Sequence, residues 1–271
     1  MKQRFEKVRT LNRIDNFFFH SYRYLSSKTR GVVESSFSGL LFRLLQEPVF
    51  SLFSSGQTSF MPEDVFQGKI IILDIPVLTY GKAGQIVQRL FKYVFELAML
   101  RRNLDENNRP VVIWQDEAHL TLLEQDSNFL STCREKRIAN VMISQNISNF
   151  HQNMGGSNSE HRVSSLTSLL STKIFHANDH PETNEWASKL IGEAYTADYS
   201  YSDTVTGEFS NTRNQSYKRE RMVPPEAFLD LKSGGFAHHG LAEAYVVFQG
   251  KSFHNGFHHR KITFKQKIFN H

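Results

Sequence analysis

The chain has 271 residues, enough for one large α/β domain with an appendage and a sizeable buried core. Its 39% hydrophobic and 22% charged content is that of a soluble globular protein, and its single cysteine, Cys133, excludes an intrachain disulfide and fits a reducing compartment. No apolar run reaches the roughly 20 residues needed to span a bilayer, and the basic N-terminus lacks the continuous apolar core of a signal peptide.

The net charge of +5 is uneven along the chain. Lys2, Arg4, Lys7, Arg9, Arg13, Arg23, Lys28 and Arg30 face only Glu6 and Asp15, and after Gly250 come Lys251, Arg260, Lys261, Lys265 and Lys267 without an acid. Two basic ends suit a polyanion such as DNA; a solvated basic surface is the alternative.

The first section, to about Met61, reads as helical. Val33, Phe37, Leu40, Leu41, Leu44 and Leu45 recur at helical spacing between Val32 and Gln46, and Pro48 limits that helix. Residues 54–59 form a loop. Lys69-Ile70-Ile71-Ile72-Leu73-Asp74 then predicts a strand buried on both faces. A helix follows from Ala83 to Arg102 with an apolar stripe of Ile86, Val87, Leu90, Phe91, Val94, Phe95 and Ala98.

Asn107-Asn108-Arg109-Pro110 breaks the pattern before the strand Val111–Gln115. Further on come a helix over 128–137, a strand over 140–144, a helix over 162–170, a strand near 173–176 and a helix from Pro181 to Ile191. Alternating strands and helices predict a parallel sheet covered on both faces. Residues 194–215 are rich in Ser, Thr, Tyr, Asn and Asp and read as a flexible excursion. Pro224-Pro225-Glu226 opens a short helix, and strands over 243–249 and 261–264 flank a hairpin near Asn255-Gly256.

The chemistry centres on Val111-Val112-Ile113-Trp114-Gln115-Asp116-Glu117. In an open parallel sheet, ligands bind beyond the carboxyl ends of the strands. An acidic pair there can hold Mg²⁺ with one carboxylate, directly or through water, and polarise an attacking water with the other. An N-cap or a solvated acidic pair is the plain alternative. The next strand ends at Ser144-Gln145-Asn146, a polar cluster at the same edge, where Gln145 can contact a γ-phosphate or cap the next segment. Residues 116–119 also spell Asp-Glu-Ala-His, the string of one helicase class, but no companion helicase motif accompanies it. His119 is expected to be a packed or capping histidine.

Arg134 and Arg137 close the helix after the acidic pair. They suit either a charge offered to a neighbour's nucleotide or compensation of the helix dipole. The late histidines His238, His239, His254, His258 and His259 lack companion ligands at metal spacing and read as exposed loop residues.

A phosphate loop needs G-x-x-x-x-G-K followed by Ser or Thr, between a strand and a helix. Gly68-Lys69 runs into the expected strand, Gly81-Lys82 precedes Ala83, and Gly250-Lys251-Ser252 has Tyr245 at the first glycine position. None qualifies, so tight ATP binding by this chain alone is not expected.

The ordered landmarks resemble the TraD/TraG-type coupling proteins of conjugative and type IV secretion systems, in the portion after their phosphate loop. They are Lys69–Pro76 with its Gly-Lys turn and long helix; Val111–His119 as Walker B; Arg134–Arg137 and Val141–Asn146; Lys173–Gly192 with Asp179-His180-Pro181-Glu182-Thr183; and Val223–Phe228 with Gly234-Gly235. The resemblance spans about residues 30–250. It implies a partial RecA-like α/β fold: a three-layer parallel sheet lacking the phosphate-loop strand and helix, with an N-terminal helical segment. Expected divisions are 1–64 as helical lead-in, 65–250 as the Walker B half and 251–271 as a basic hairpin or tail.

The same resemblance implies a hexameric ATPase, with a TraM recognition region, that moves single-stranded DNA or nucleoprotein and meets relaxosome or secretion-channel proteins. Asp116 would be the Mg²⁺ partner, Glu117 the general base and Gln145 the γ-phosphate sensor, with Arg134 or Arg137 acting across a subunit boundary. ATP and Mg²⁺ are conditional on a Walker A segment supplied from elsewhere. The expected location is cytoplasmic, or the inner face of the membrane through another segment or partner. The competing readings are a non-catalytic module docking on DNA or motor subunits, and a fragment of a DEAH-type helicase.

Overall fold

A computed structural model describes residues 12–47, 49–54, 56–206 and 208–267, without side-chain detail at 40, 43 and 200–214. The basic residues Lys2, Arg4, Lys7 and Arg9 lie outside the described residues. Two compact units are present, one ending at Val94 and the other beginning at Phe95.

In the first unit, Ser26 caps helix α1, Ser27–Leu44, by accepting a hydrogen bond from Thr29 N at 3.1 Å. The helix begins earlier than the apolar spacing predicts because this cap stands N-terminal to it. After the short α2, Val49–Phe53, a small core joins Val49, Ile75 and Val87 with Leu44, Leu73 and Tyr80. Helix α3, Val77–Arg101, is broken at Gly81, whose φ of 55° and ψ of −142° lie outside helical space.

The strand expected over 69–74 is not formed. Among the described residues no strand forms over it and none pairs with it. Ile70 and Ile72 are 87% and 84% exposed, while Leu73 and Ile75 reach the small core. A β-branched run predicts extended backbone; the ladder also requires a neighbour.

The second unit has an α/β architecture, the class expected. Strands β1, Val111–Gln115, and β2, Ile138–Met142, pair in parallel with Val111 opposite Ile138 and Gln115 opposite Met142. The crossover passes through a 3-10 turn, Ala118–Thr121, and α4, Asp126–Cys133. Helices α5, Ile147–Met154, and α6, Ser159–Ser168, follow β2. Ala118, Leu122, Ile147, Phe150, Val163 and Leu166 form one core, while Val112 and Trp114 on the other side of β1 are exposed. Cys133 is buried, and its thiol is pushed up to about 12 by burial and the neighbouring Glu96 carboxylate.

Strand β3, Thr172–His176, departs from the all-parallel expectation. After α7, Pro181–Ile191, and the hairpin β4, Glu193–Thr206, and β5, Glu208–Arg221, the chain returns as β6, Leu241–Phe248, and β7, His259–Lys265. The order is β3-β6-β7, antiparallel throughout, because β6 comes back along β3 and turns directly into β7. A second core of Phe175, Ala187, Ile191, Val223, Phe228, Leu231 and Val247 lies between this sheet and α7.

The segment expected to be an excursion is the β4–β5 hairpin, with Glu193 opposite Arg221 and Thr206 opposite Glu208. Tyr195, Thr196 and Tyr199 are good strand formers. Polar residues on both faces conceal the apolar alternation by which strands are ordinarily read. At the hairpin base, Arg221 donates to both carboxylate oxygens of Glu185 on α7, at 2.5 and 2.7 Å.

Candidate functional site

The site is built where β1 and β2 end side by side. The pairing continues past both strands: Ile143 N donates to Gln115 O at 2.9 Å, and Ala118 N donates to Ile143 O at 2.8 Å. Between those bonds the β1 chain must turn. Glu117 makes the turn with φ 46° and ψ 45°, left-handed space that a non-glycine residue occupies at a cost of about 1–3 kcal/mol. Asp116 supports it, with Oδ1 accepting from Glu117 N at 3.0 Å.

Asp116 is exposed and Glu117 half-buried. Gln145, three residues past the end of β2, donates from Nε2 to Glu117 Oε1 at 2.8 Å. The structure therefore brings together three of the predicted site residues, Asp116, Glu117 and Gln145. The capping alternative for Gln145 falls to its neighbour: Asn146 Oδ1 caps α5 by accepting from Asn149 N at 2.9 Å. Below this edge, buried Gln115 donates to Asn140 Oδ1 across the strands at 2.8 Å.

His119 sits in the same cluster. It is 8% exposed, its Nδ1 lies 3.0 Å from Ser144 Oγ and 3.4 Å from Glu117 Oε2, and its ring packs edge-on to Phe150. The expected packing holds, but the ring also reaches the carboxylate. Its position two residues after Glu117, with a serine closing the adjacent strand edge, is the signal the sequence offers.

Arg134 and Arg137 are not part of this cluster. They precede β2 and so lie at its amino end, whereas Gln145 follows its carboxyl end, separated by a strand of roughly 16 Å. Arg137 has φ 54° and donates from Nη1 to Asn108 O at 3.0 Å.

Asn178, just past β3, ties Gln145 to the rest of the unit. Its Nδ2 donates to Gln145 O at 2.7 Å, its Oδ1 accepts from His180 N at 2.8 Å, and its backbone N donates to Phe228 O at 3.3 Å. Sequence reasoning missed this residue. An open cleft of about 690 Å³ lies here, lined by Gln145, Asn146, Asn178, His180, Asp230 and His238 among others.

The donor set fits one half of a Mg–nucleotide site. Among the described residues no group of three or more His, Cys, Asp and Glu is arranged to hold a metal. Asp116 would supply a single carboxylate, which suits Mg²⁺ held mainly through water and phosphate. The phosphate half does not fit. Lys69 is engaged with Asp64 at 3.1 Å, Gly81 lies in the break of α3, and Gly250 turns out of β6, so none of the three Gly-Lys pairs joins a strand to a helix as a phosphate cradle requires. Among the late histidines, His238 Nδ1 lies 3.3 Å from Ser233 Oγ and His258 Nε2 lies 3.4 Å from Leu190 O. No helix among the described residues is long and apolar enough to cross a membrane.

A family model described as the TraM recognition site of TraD and TraG matches residues 110–233. No curated protein matches the sequence. Among solved structures, the bacterial conjugative coupling protein TrwBdeltaN70 in an unbound form is similar, at 20% identity and a TM-score of 0.49, over 76% of this chain and 40% of that one. The plasmid coupling protein TrwB in complex with the non-hydrolysable GTP analogue GDPNP is similar at 17% identity and a TM-score of 0.47, over 76% and 39%. The chain thus spans about 40% of the length of these coupling proteins. The matched stretch contains β1, β2, the Asp116–Glu117–Gln145 cluster and the β4–β5 hairpin, so the similarity to the TraD and TraG coupling proteins falls on the region that carries the candidate site.

Proposed function

We propose that this chain is the Walker B half of a DNA-translocating motor of the conjugative coupling type, completed by a phosphate loop on another segment. The observation that carries the proposal is the Gln145-to-Glu117 hydrogen bond, 2.8 Å, across the carboxyl edge of a parallel strand pair. That edge is where an open parallel sheet presents its ligand-binding residues.

Within this reading each residue has a defined task. Asp116, exposed at the edge, is the carboxylate for Mg²⁺, which when bound would neutralise phosphate charge. Glu117 accepts a proton from water. Gln145 presents an amide to the γ-phosphate side and holds Glu117 until then. Arg134 and Arg137, at the opposite end of β2, would serve a neighbouring subunit of a hexameric ring, since they are remote from the acids of their own chain. The basic N- and C-terminal segments suit single-stranded DNA, and relaxosome or secretion-channel proteins are the expected partners.

The test mixes the chain with a polypeptide carrying the phosphate loop of the same motor. Nucleotide-dependent association and ATP hydrolysis are expected. Glu117→Gln should abolish hydrolysis while association persists; hydrolysis unchanged by Glu117→Gln would remove Glu117 from the chemistry. The missing phosphate cradle also supports a second reading, a non-catalytic module that docks on DNA or motor subunits. Association without hydrolysis by the wild-type chain would favour it.

A further inference from the structure

We infer that His119 is a positioning residue that fixes the orientation of the Glu117 carboxylate, an inference that rests on the proposed role of Glu117. The role requires one tautomer of the histidine. Ser144 Oγ lies 3.3 Å from Asn146 O and can donate to it, which leaves its lone pairs for the ring. With that bond made, His119 Nδ1, 3.0 Å from the same Oγ, is the donor. The same Nδ1 lies 3.4 Å from Glu117 Oε2, close enough for its polar hydrogen to attract the carboxylate.

Glu117 therefore has a polar neighbour at each oxygen: a hydrogen bond from the Gln145 amide at Oε1 and the His119 imidazole 3.4 Å from Oε2. The donors come from the ends of different strands, so rotation of the carboxylate must disturb one edge or the other. Each carboxylate oxygen keeps a further acceptor site. A water can thus dock on a carboxylate whose plane is already set, the condition for efficient proton transfer. Burial of the ring against Phe150 makes the arrangement stiff. A histidine present only for packing would not need to bridge Glu117 and Ser144.

Two measurements on the full chain test this without nucleotide. Nitrogen NMR of the histidine rings should show His119 protonated at Nδ1 and bare at Nε2. The Glu117 carboxyl carbon resonance should move in His119→Leu, which keeps bulk and loses the donor, and remain in place in His119→Asn, which returns an N–H near the Nδ1 position. A third measurement uses the phosphate-loop mixture. His119→Leu should lower kcat on the order of tenfold with KM unchanged, and His119→Asn should restore most of it.

An Nε2-protonated ring, or a Glu117 signal indifferent to His119→Leu in a folded protein, would overturn the inference. If His119→Leu unfolds, the His119→Asn spectrum and the wild-type tautomer decide it. A wild-type mixture that never hydrolyses ATP would overturn the proposed function instead, and the two nucleotide-free results would still decide whether His119 positions Glu117.

Discussion

Removing the Asn178 side chain is the most direct way to ask whether the candidate site depends on the sheet beside it. Asn178→Ala deletes a donor to Gln145 O, 2.7 Å, and an acceptor for His180 N, 2.8 Å. Each bond is worth about 1 kcal/mol net. Asn178 is half-buried, so water replaces part of what is lost. Together the two give about 1–2 kcal/mol, or a fall of roughly 2–8 °C in Tm for a unit of this size. Urea unfolding would measure the stability change, and amide hydrogen exchange would locate it. The His180 N–H should lose protection, because its acceptor is gone, while the β1–β2 ladder should keep its protection relative to global unfolding. An unchanged Tm with His180 still protected would refute the idea that Asn178 holds this corner. Uniform loss across the unit would show a core role in place of a local one.

Two further outcomes concern the second core and its border. Phe228→Ala should cost about 3–5 kcal/mol in urea unfolding, because Phe228 is fully buried and edge-on to Phe175 and Tyr245 at centroid distances of 6.2 and 5.3 Å; a loss below about 1 kcal/mol would mean that this core collapses around the hole. Stability should also fall in acid through Glu185, whose carboxyl is held down at about 2, from an ordinary 4.5, chiefly by its hydrogen bonds to the Arg221 guanidinium. A depressed carboxyl contributes stability that is fully present above 4.5 and is lost as pH falls toward 2, so Tm against pH should drop across that window in the wild type and drop less in Glu185→Gln.

Much of the framework is legible in the sequence because its residues carry local signals. Val111–Gln115 and Pro181–Ile191 are strongly patterned, and both form close to where the pattern places them. The acidic pair and Gln145 can be matched as the polar ends of two neighbouring strands without any distance in hand. The features that escape depend on contacts distant in sequence. Ile70 to Asp74 has the composition of a strand but no ladder partner among the described residues. Lys173–His176 has a strand's pattern and forms one, yet its neighbour is β6, some 70 residues onward, and no local pattern reports antiparallel pairing at that range. Asn178 and His119 show the same limit at the site. Each is a single polar residue whose importance lies in its partners, Gln145 for one and Glu117 and Ser144 for the other.

The β4–β5 hairpin has a consequence for how such chains can vary. Its ladder is regular from the Glu193–Arg221 pair to the Thr206–Glu208 pair, and it is fastened to α7 at the base by Arg221 and Glu185. A regular two-stranded ladder can be shortened or extended by one opposed pair from each strand at a time, and two such steps restore every side chain to its original face. Relatives could therefore differ in hairpin length by multiples of four residues while the anchored end stays in register.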